Sequence, residues 1–251
     1  MSVFILVHGA WHGGWCWRKV ARLLENAGHV VLAPDLPGHG DDRTPLSRVS
    51  FASYTERVCE AIDGASEPVI LVGHSMAGAV ISQAAENRPA KVRMLVYVCA
   101  YLLRDGERLR DAARPGEVNR VTPNLVFSPD RTVMTVREDA IAGAFYGDCC
   151  ADDIAWAKPR LVPEATNVWR TPVRLTEGRF GRIPRVYIEC LRDQAIPLGL
   201  QRRMCSEAPP IDVLSIDTDH SPFFSAPARL ASLLLTIGEA ARKPGNSGPA
   251  C

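Results

Sequence analysis

The stretch Pro68 to Val80, P-V-I-L-V-G-H-S-M-A-G-A-V, restricts what this chain can fold into more than any other. Val69 to Val72 form an apolar run suited to a strand buried on both faces, as in a parallel sheet covered by helices. The run breaks at Gly73. Small residues return at Ala77, Gly78 and Ala79, and a helical pattern follows through Ile81, Ala84 and Ala85. Strand, sharp turn and helix put Ser75 at the tip of the turn, beside the free N–H groups of a helix N-terminus. A serine held this way is a candidate nucleophile, and those N–H groups are placed to hold an oxyanion. The usual pattern G-x-S-x-G has glycine two places after the serine; here Ala77 stands there and Gly78 follows it.

Such a serine needs a base, an acid and oxyanion donors. On sheets with this turn, the acid and then the histidine follow the serine in sequence. His220 is the only histidine after Ser75, in a loop after the apolar stretch Asp212 to Ile216. Asp193 follows the strand-like run Arg185 to Leu191, where the acid belongs. Asp105, after the strand that ends near Ala100, remains the alternative. Asp35 also ends a strand but precedes the serine, which makes it a structural aspartate. At the N-terminus, the strand Val3 to Val7 runs into His8-Gly9-Ala10-Trp11-His12-Gly13-Gly14. Glycines there let backbone N–H groups turn inward, and Ala10 is the candidate donor. His8 and His12 have no third ligand nearby, so no metal site is expected.

The remaining pattern alternates helix and strand. Arg18 to Ala27 reads as a helix, His29 to Ala33 as a strand, Ser53 to Ala65 as a helix and Val92 to Ala100 as a strand. From residue 101 to 184 the alternation stops. Short helical segments separated by Pro115, Pro123, Pro129, Pro159, Pro163 and Pro172 suggest a cap inserted into an α/β core. The organisation expected is therefore a core of residues 1–100 and 185–242, a cap of 101–184 and a flexible tail of 243–251. Cap residues Phe127, Phe145, Trp156 and Trp169, with Trp11 of the first loop, are candidates to wall a substrate pocket. At 251 residues the chain fits one such domain. A net charge of +1 gives no reason to expect nucleic acid or an anionic membrane as partner. Eight cysteines without C-x-x-C spacing read as reduced thiols. With no signal-peptide pattern and no apolar run of transmembrane length, the expectation is a cytoplasmic protein. Oligomeric state stays open, a homodimer included.

These features together resemble the α/β-hydrolase superfamily. More narrowly they resemble its small-cap group of plant methylesterases, plant hydroxynitrile lyases and bacterial pyrethroid-hydrolase-like carboxylesterases. The likeness runs from V-F-I-L-V-H-G-A-W-H-G-G-W-C-W to D-H-S-P-F-F-S-A-P, with R-V-Y-I-E-C-L-R-D-Q-A-I-P-L-G-L-Q-R-R-M around Asp193 most specific. It implies a mostly parallel central sheet with helices on both faces and an inserted cap. It also implies Ser75 as nucleophile, His220 as base, Asp193 as acid, and the N–H groups of Ala10 and Met76 as the oxyanion hole. No cofactor is implied, and the expected partner is a small, neutral, largely apolar ester. Alternatives within the group are a tailoring esterase or cyclase, a ligand receptor and a hydroxynitrile lyase. The lyases carry a lysine after the triad histidine and a threonine after the first-strand histidine. Here those places hold Ser221 and Gly9, and Gly9 is expected to leave space beside the oxyanion loop.

Overall fold

The computed structural model describes residues 1–114 and 117–242; the expected tail 243–251 and the Pro115 joint lie outside the described residues. The strands are β1 (Val3–Val7), β2 (Val30–Leu32), β3 (Val69–His74), β4 (Val92–Val98), β5 (Leu125–Phe127), β6 (Val133–Val136), β7 (Glu164–Ala165), β8 (Arg185–Cys190) and β9 (Asp212–Ile216). The α-helices are α1 (Arg18–Asn26), α2 (Phe51–Asp63), α3 (Ala77–Asn87), α4 (Glu138–Phe145), α5 (Ala151–Ala157), α6 (Thr166–Arg170), α7 (Leu198–Glu207), α8 (Pro222–Ser225) and α9 (Pro227–Arg242). Six strands form one parallel sheet in the order β2-β1-β3-β4-β8-β9. Each apolar residue of β1 and β3 is buried, as a strand covered on both faces requires. The order turns outward in both directions from the β1–β3 centre. In such a sheet, loops leaving the strand C-termini diverge and open a crevice. Ser75 stands there.

Helix α2 starts two residues earlier than its apolar pattern suggests. The side chains of Ser50 and Ser53 each accept a hydrogen bond from the other's backbone N–H, at 3.1 Å and 2.9 Å. This reciprocal cap satisfies donors that would otherwise be orphaned.

Segment 101–184 lies between β4 and β8, and it is not helical alone. It contains a three-stranded antiparallel sheet, β5-β6-β7, alongside α4 to α6. The hairpin signal is in the sequence: Leu125-Val126-Phe127 and Val133 to Val136 flank Ser128-Pro129-Asp130-Arg131-Thr132. Asp130 accepts hydrogen bonds from the Ser128 and Thr132 hydroxyls at 2.6 Å and 2.9 Å, fixing the turn. Strand β7 brings a charge into the interior. Glu164 is fully buried, accepts a 2.8 Å bond from the Tyr54 hydroxyl, and pairs with His39 at 3.3 Å. Burial alone would lower the His39 pKa, but the Glu164 carboxylate outweighs it and holds it above the ordinary value.

Candidate active site

The turn after β3 holds Ser75 in the left-handed region, φ 54°, where a non-glycine residue is strained. Hydrogen bonds lock it there. Ser75 N–H donates to Val98 O at 3.3 Å, and Ser75 O accepts from Gly78 N at 3.1 Å and Tyr101 N at 3.0 Å. Ala77 is accommodated because the tight approaches fall elsewhere. A Cβ at Gly73 would come within 2.9 Å of Ala77 O, and one at Gly78 would come within 2.4 Å of Tyr101 O. The steric demand for glycine thus lies one residue after its usual place. Gly78→Ala is expected to destabilise the fold by about 1–3 kcal/mol, since the obstacle is backbone; an unchanged urea midpoint would refute this.

His220 and Asp193 meet across the ends of β8 and β9. His220 Nδ1 lies 2.7 Å from Asp193 Oδ2, and both residues are buried. Because the carboxylate only accepts, Nδ1 carries the proton, so in the neutral ring the lone pair lies on Nε2. The other Asp193 oxygen, Oδ1, accepts from the N–H groups of Ala195 and Ile196 at 2.7 Å and 2.9 Å. Asp105, the alternative acid, is instead bound to Leu175 N–H at 2.9 Å. Asp35 also serves the backbone, accepting from Gly14 N and Asp41 N. Behind His220, its carbonyl accepts from His74 Nε2 at 2.8 Å and from Cys99 Sγ at 3.6 Å. His74, Cys99 and His220 are the one potential three-ligand metal cluster among the described residues. Here their polar atoms brace the His220 backbone.

The first loop is shaped by histidines. His8 Nδ1 donates to Gly9 O at 2.9 Å, His12 Nδ1 donates to Ala10 O at 2.8 Å, and Trp11 O accepts from Val162 N at 2.9 Å. With these three carbonyls held, the Ala10 N–H is left without an acceptor among the described residues, as is the Met76 N–H at the start of α3. The bonds also fix the tautomers. His8 Nε2 accepts from Leu36 N at 3.0 Å, and His12 Nε2 accepts from the Tyr146 hydroxyl at 2.8 Å. Burial lowers the pKa of His8 and His74 well below 6.5 and brings His12 down to about 3, so all three stay neutral. The sequence marks His8 as the start of a His-Gly pair opening the oxyanion loop and offers His8 and His12 as metal ligands; their hold on the loop's carbonyls is signalled only by adjacency to glycines.

Ser75 and His220 both line a cavity of about 250 Å³. Trp11, Phe127, Phe145 and Trp169 line it too, with Tyr101, Met134 and Leu125, which the sequence did not single out. Trp156 does not, which corrects the expectation that it walls the pocket. Its ring packs against the guanidinium groups of Arg18 and Arg160 at 3.6 Å and 3.9 Å, and against Trp15 and Phe224. It fastens α5 to α1, where cation–π contacts outcompete a place at the cavity. Gly9 is a second correction. The space beside it is occupied: a Cβ there would meet Ser75 Cβ at 2.8 Å and His74 Nδ1 at 2.9 Å. Ser221 is buried, with its N–H on Asp219.

A serine on a strand-to-helix turn, sharing a cavity with a His–Asp pair at the C-terminal edge of a parallel sheet, defines the α/β-hydrolase class. The chain belongs to that family: residues 4–233 match the alpha/beta hydrolase family. It is 37% identical over 245 residues to a pyrethroid hydrolase of Sphingobium wenxiniae, covering 94% of this chain and 87% of that one. Against methylesterase 7 of Arabidopsis thaliana it is 36% identical, covering 94% and 96%. Among solved structures, a pyrethroid hydrolase from Sphingobium faniae JZ-2 superposes with a TM-score of 0.86 at 34% identity, covering 97% and 98% of the two chains. A polyneuridine aldehyde esterase superposes with a TM-score of 0.84 at 26% identity, covering 95% and 99%.

Proposed function

We propose that this chain is a carboxylic ester hydrolase that works through an acyl-enzyme. Ser75 Oγ attacks the ester carbonyl while His220 Nε2 takes its proton, and Asp193 stabilises the imidazolium that results. The Ala10 and Met76 N–H groups hold the tetrahedral oxyanion. His220 returns its proton to the departing alcohol. It then draws a proton from water as that water attacks the acyl carbonyl, and passes it to Ser75 Oγ as the second tetrahedral intermediate collapses, which releases the carboxylic acid and frees Ser75. The observation that carries this reading is the His220–Asp193 bond at 2.7 Å beside a cavity that Ser75 also lines. Segment 101–184 acts as a cap, contributing Phe127, Met134, Phe145 and Trp169 to the wall. These side chains suit the apolar, uncharged body of an ester around the reacting carbonyl. The similarity to pyrethroid hydrolase and methylesterases supports the same reading.

No described helix is long and apolar enough to cross a membrane. The seven described cysteines are all free, which fits the reducing cytoplasm. The test is a panel of p-nitrophenyl and methyl esters graded in acyl size, assayed with wild type and Ser75→Ala. Hydrolysis by the wild type alone is expected, and equal rates from both proteins would sink the proposal. Cyanide release from mandelonitrile is expected to stay at the buffer rate. Ser221 is neutral, so no fixed cation stands after His220 to receive the leaving anion. Rapid Ser75-dependent cyanide release would contradict that.

A further inference from the structure

The charge of the cavity changes between its floor and its mouth. Three arginines line it, Arg110, Arg131 and Arg170, and no Asp or Glu does among the described residues. All three are exposed whereas Ser75 and His220 are buried, so the arginines stand at the mouth. Arg110 lies beside Asp111, Nε to Oδ1 3.1 Å. Arg131 and Arg170 form no ion pair among the described residues, and residues 115–116 and 243–251 contain no acidic side chain.

Arg131 is held in place. Its backbone takes the left-handed conformation, φ 57°, which a non-glycine residue adopts only when its surroundings enforce it. The enforcement is visible: Arg131 N donates to Ser128 O at 2.8 Å, and Arg131 O accepts from Thr166 Oγ1 at 2.8 Å. The guanidinium lies 4.4 Å from the centre of the Phe127 ring. Both Thr166 and Phe127 line the same cavity. The nearest acid in sequence, Asp130, is spent on the hydroxyls and backbone of its own turn.

We propose that this mouth is an anion seat. The substrate is then an ester whose far end carries a carboxylate, such as a half-ester of a dicarboxylic acid. The inference rests on reading the cavity as an ester site and refines it: the apolar wall takes the body of the molecule and the ester at Ser75, and the arginines take the free acid. A guanidinium presents a planar fork that matches a carboxylate. A cleft of one sign with apolar walls also concentrates an oppositely charged ligand and speeds its capture, an effect that salt removes.

The test compares half-esters of increasing chain length with isosteres in which the free acid is a primary amide. For the best length, kcat/KM for the acid should exceed that for the amide by about tenfold or more at low ionic strength, with the ratio falling towards one at high salt. In the Arg131→Ala/Arg170→Ala double variant the ratio should fall to about one, and the corresponding double lysine variant should restore part of it. Each ratio is measured within one preparation, so incomplete folding does not move it. A wild-type ratio near or below one overturns the inference, as does a ratio that survives in the double alanine variant. If the wild type cleaves neither of these nor any member of the p-nitrophenyl and methyl ester panel, the hydrolase reading fails by itself. The seat is then judged by calorimetry on Ser75→Ala with the free dicarboxylate and its monoamide. Tighter binding of the dicarboxylate that is lost in the arginine variants supports it, and equal binding overturns it.

Discussion

Ser75→Ala is expected to lower kcat for an activated ester by at least about 10³-fold, with circular dichroism and urea midpoint unchanged. Alanine at φ 54° is strained no more than serine, so the turn survives and only the nucleophile is lost. His220→Ala should be comparably damaging, because the members of such a set act together. Asp193→Asn is the more informative change. The N–H groups of Ala195 and Ile196 occupy the Oδ1 position and require an acceptor there. The asparagine oxygen must turn to them, which presents its NH₂ to His220 Nδ1. That ring nitrogen then has to accept, the proton moves to Nε2, and the histidine can no longer act as a base. A loss approaching about 10⁴-fold is expected. Asp105→Asn, by contrast, should leave kcat within a few-fold, since Asp105 binds Leu175 N–H. Retention of more than a tenth of wild-type kcat in Ser75→Ala, with contamination excluded, would remove Ser75 from the nucleophile role.

The second large effect is on stability in acid. Burial, and secondarily the neighbouring histidines, depress the pKa values of His74 and of His8; burial also depresses His12, to about 3. In the unfolded chain each titrates near 6.5. Between those limits the unfolded state binds protons that the native state refuses, so stability rises with pH and is lost as pH falls below about 6.5. Linkage sets the slope at about 1.4 kcal/mol per pH unit for each histidine, or about 4 for the three together. Against a typical total of about 5–15 kcal/mol, this should unfold the protein within a few pH units. His39 has the opposite sign. Its pKa is raised, so its contribution is complete below about 6.5 and is lost as pH climbs through the folded value. It therefore adds no slope on the acid side. Urea titrations at stepped pH would measure the effect, and His12→Asn should remove about a third of the slope. A flat unfolding free energy between pH 7 and pH 5 would show that these rings are protonated in the native state.

How far the sequence could be read depended on whether a feature is local. The buried run Val69 to Val72, the break at Gly73 and the return of small residues announce a strand-turn-helix unit with Ser75 at its tip. Steric and hydrogen-bonding demands over thirteen consecutive residues leave little else. Chain order then picks out His220 and leaves Asp193 and Asp105 as candidate acids, because the topology of a parallel sheet delivers its strand ends in a set sequence, and the wording around Asp193 favours it. The family followed from the same local wording. Tertiary structure decided what depends on residues distant in the chain. Trp156 is as aromatic as Trp169, but Arg18 and Arg160 draw it away from the cavity. Gly9 looked like open space until the fold placed Ser75 and His74 against it. Sequence spacing does not show that His8 and His12 hold the carbonyls of Gly9 and Ala10, or that Arg110, Arg131 and Arg170 share one mouth. Local propensities specify the elements and their order. Neighbours within a few ångströms, brought from far along the chain, determine where each side chain points and which charge each group carries.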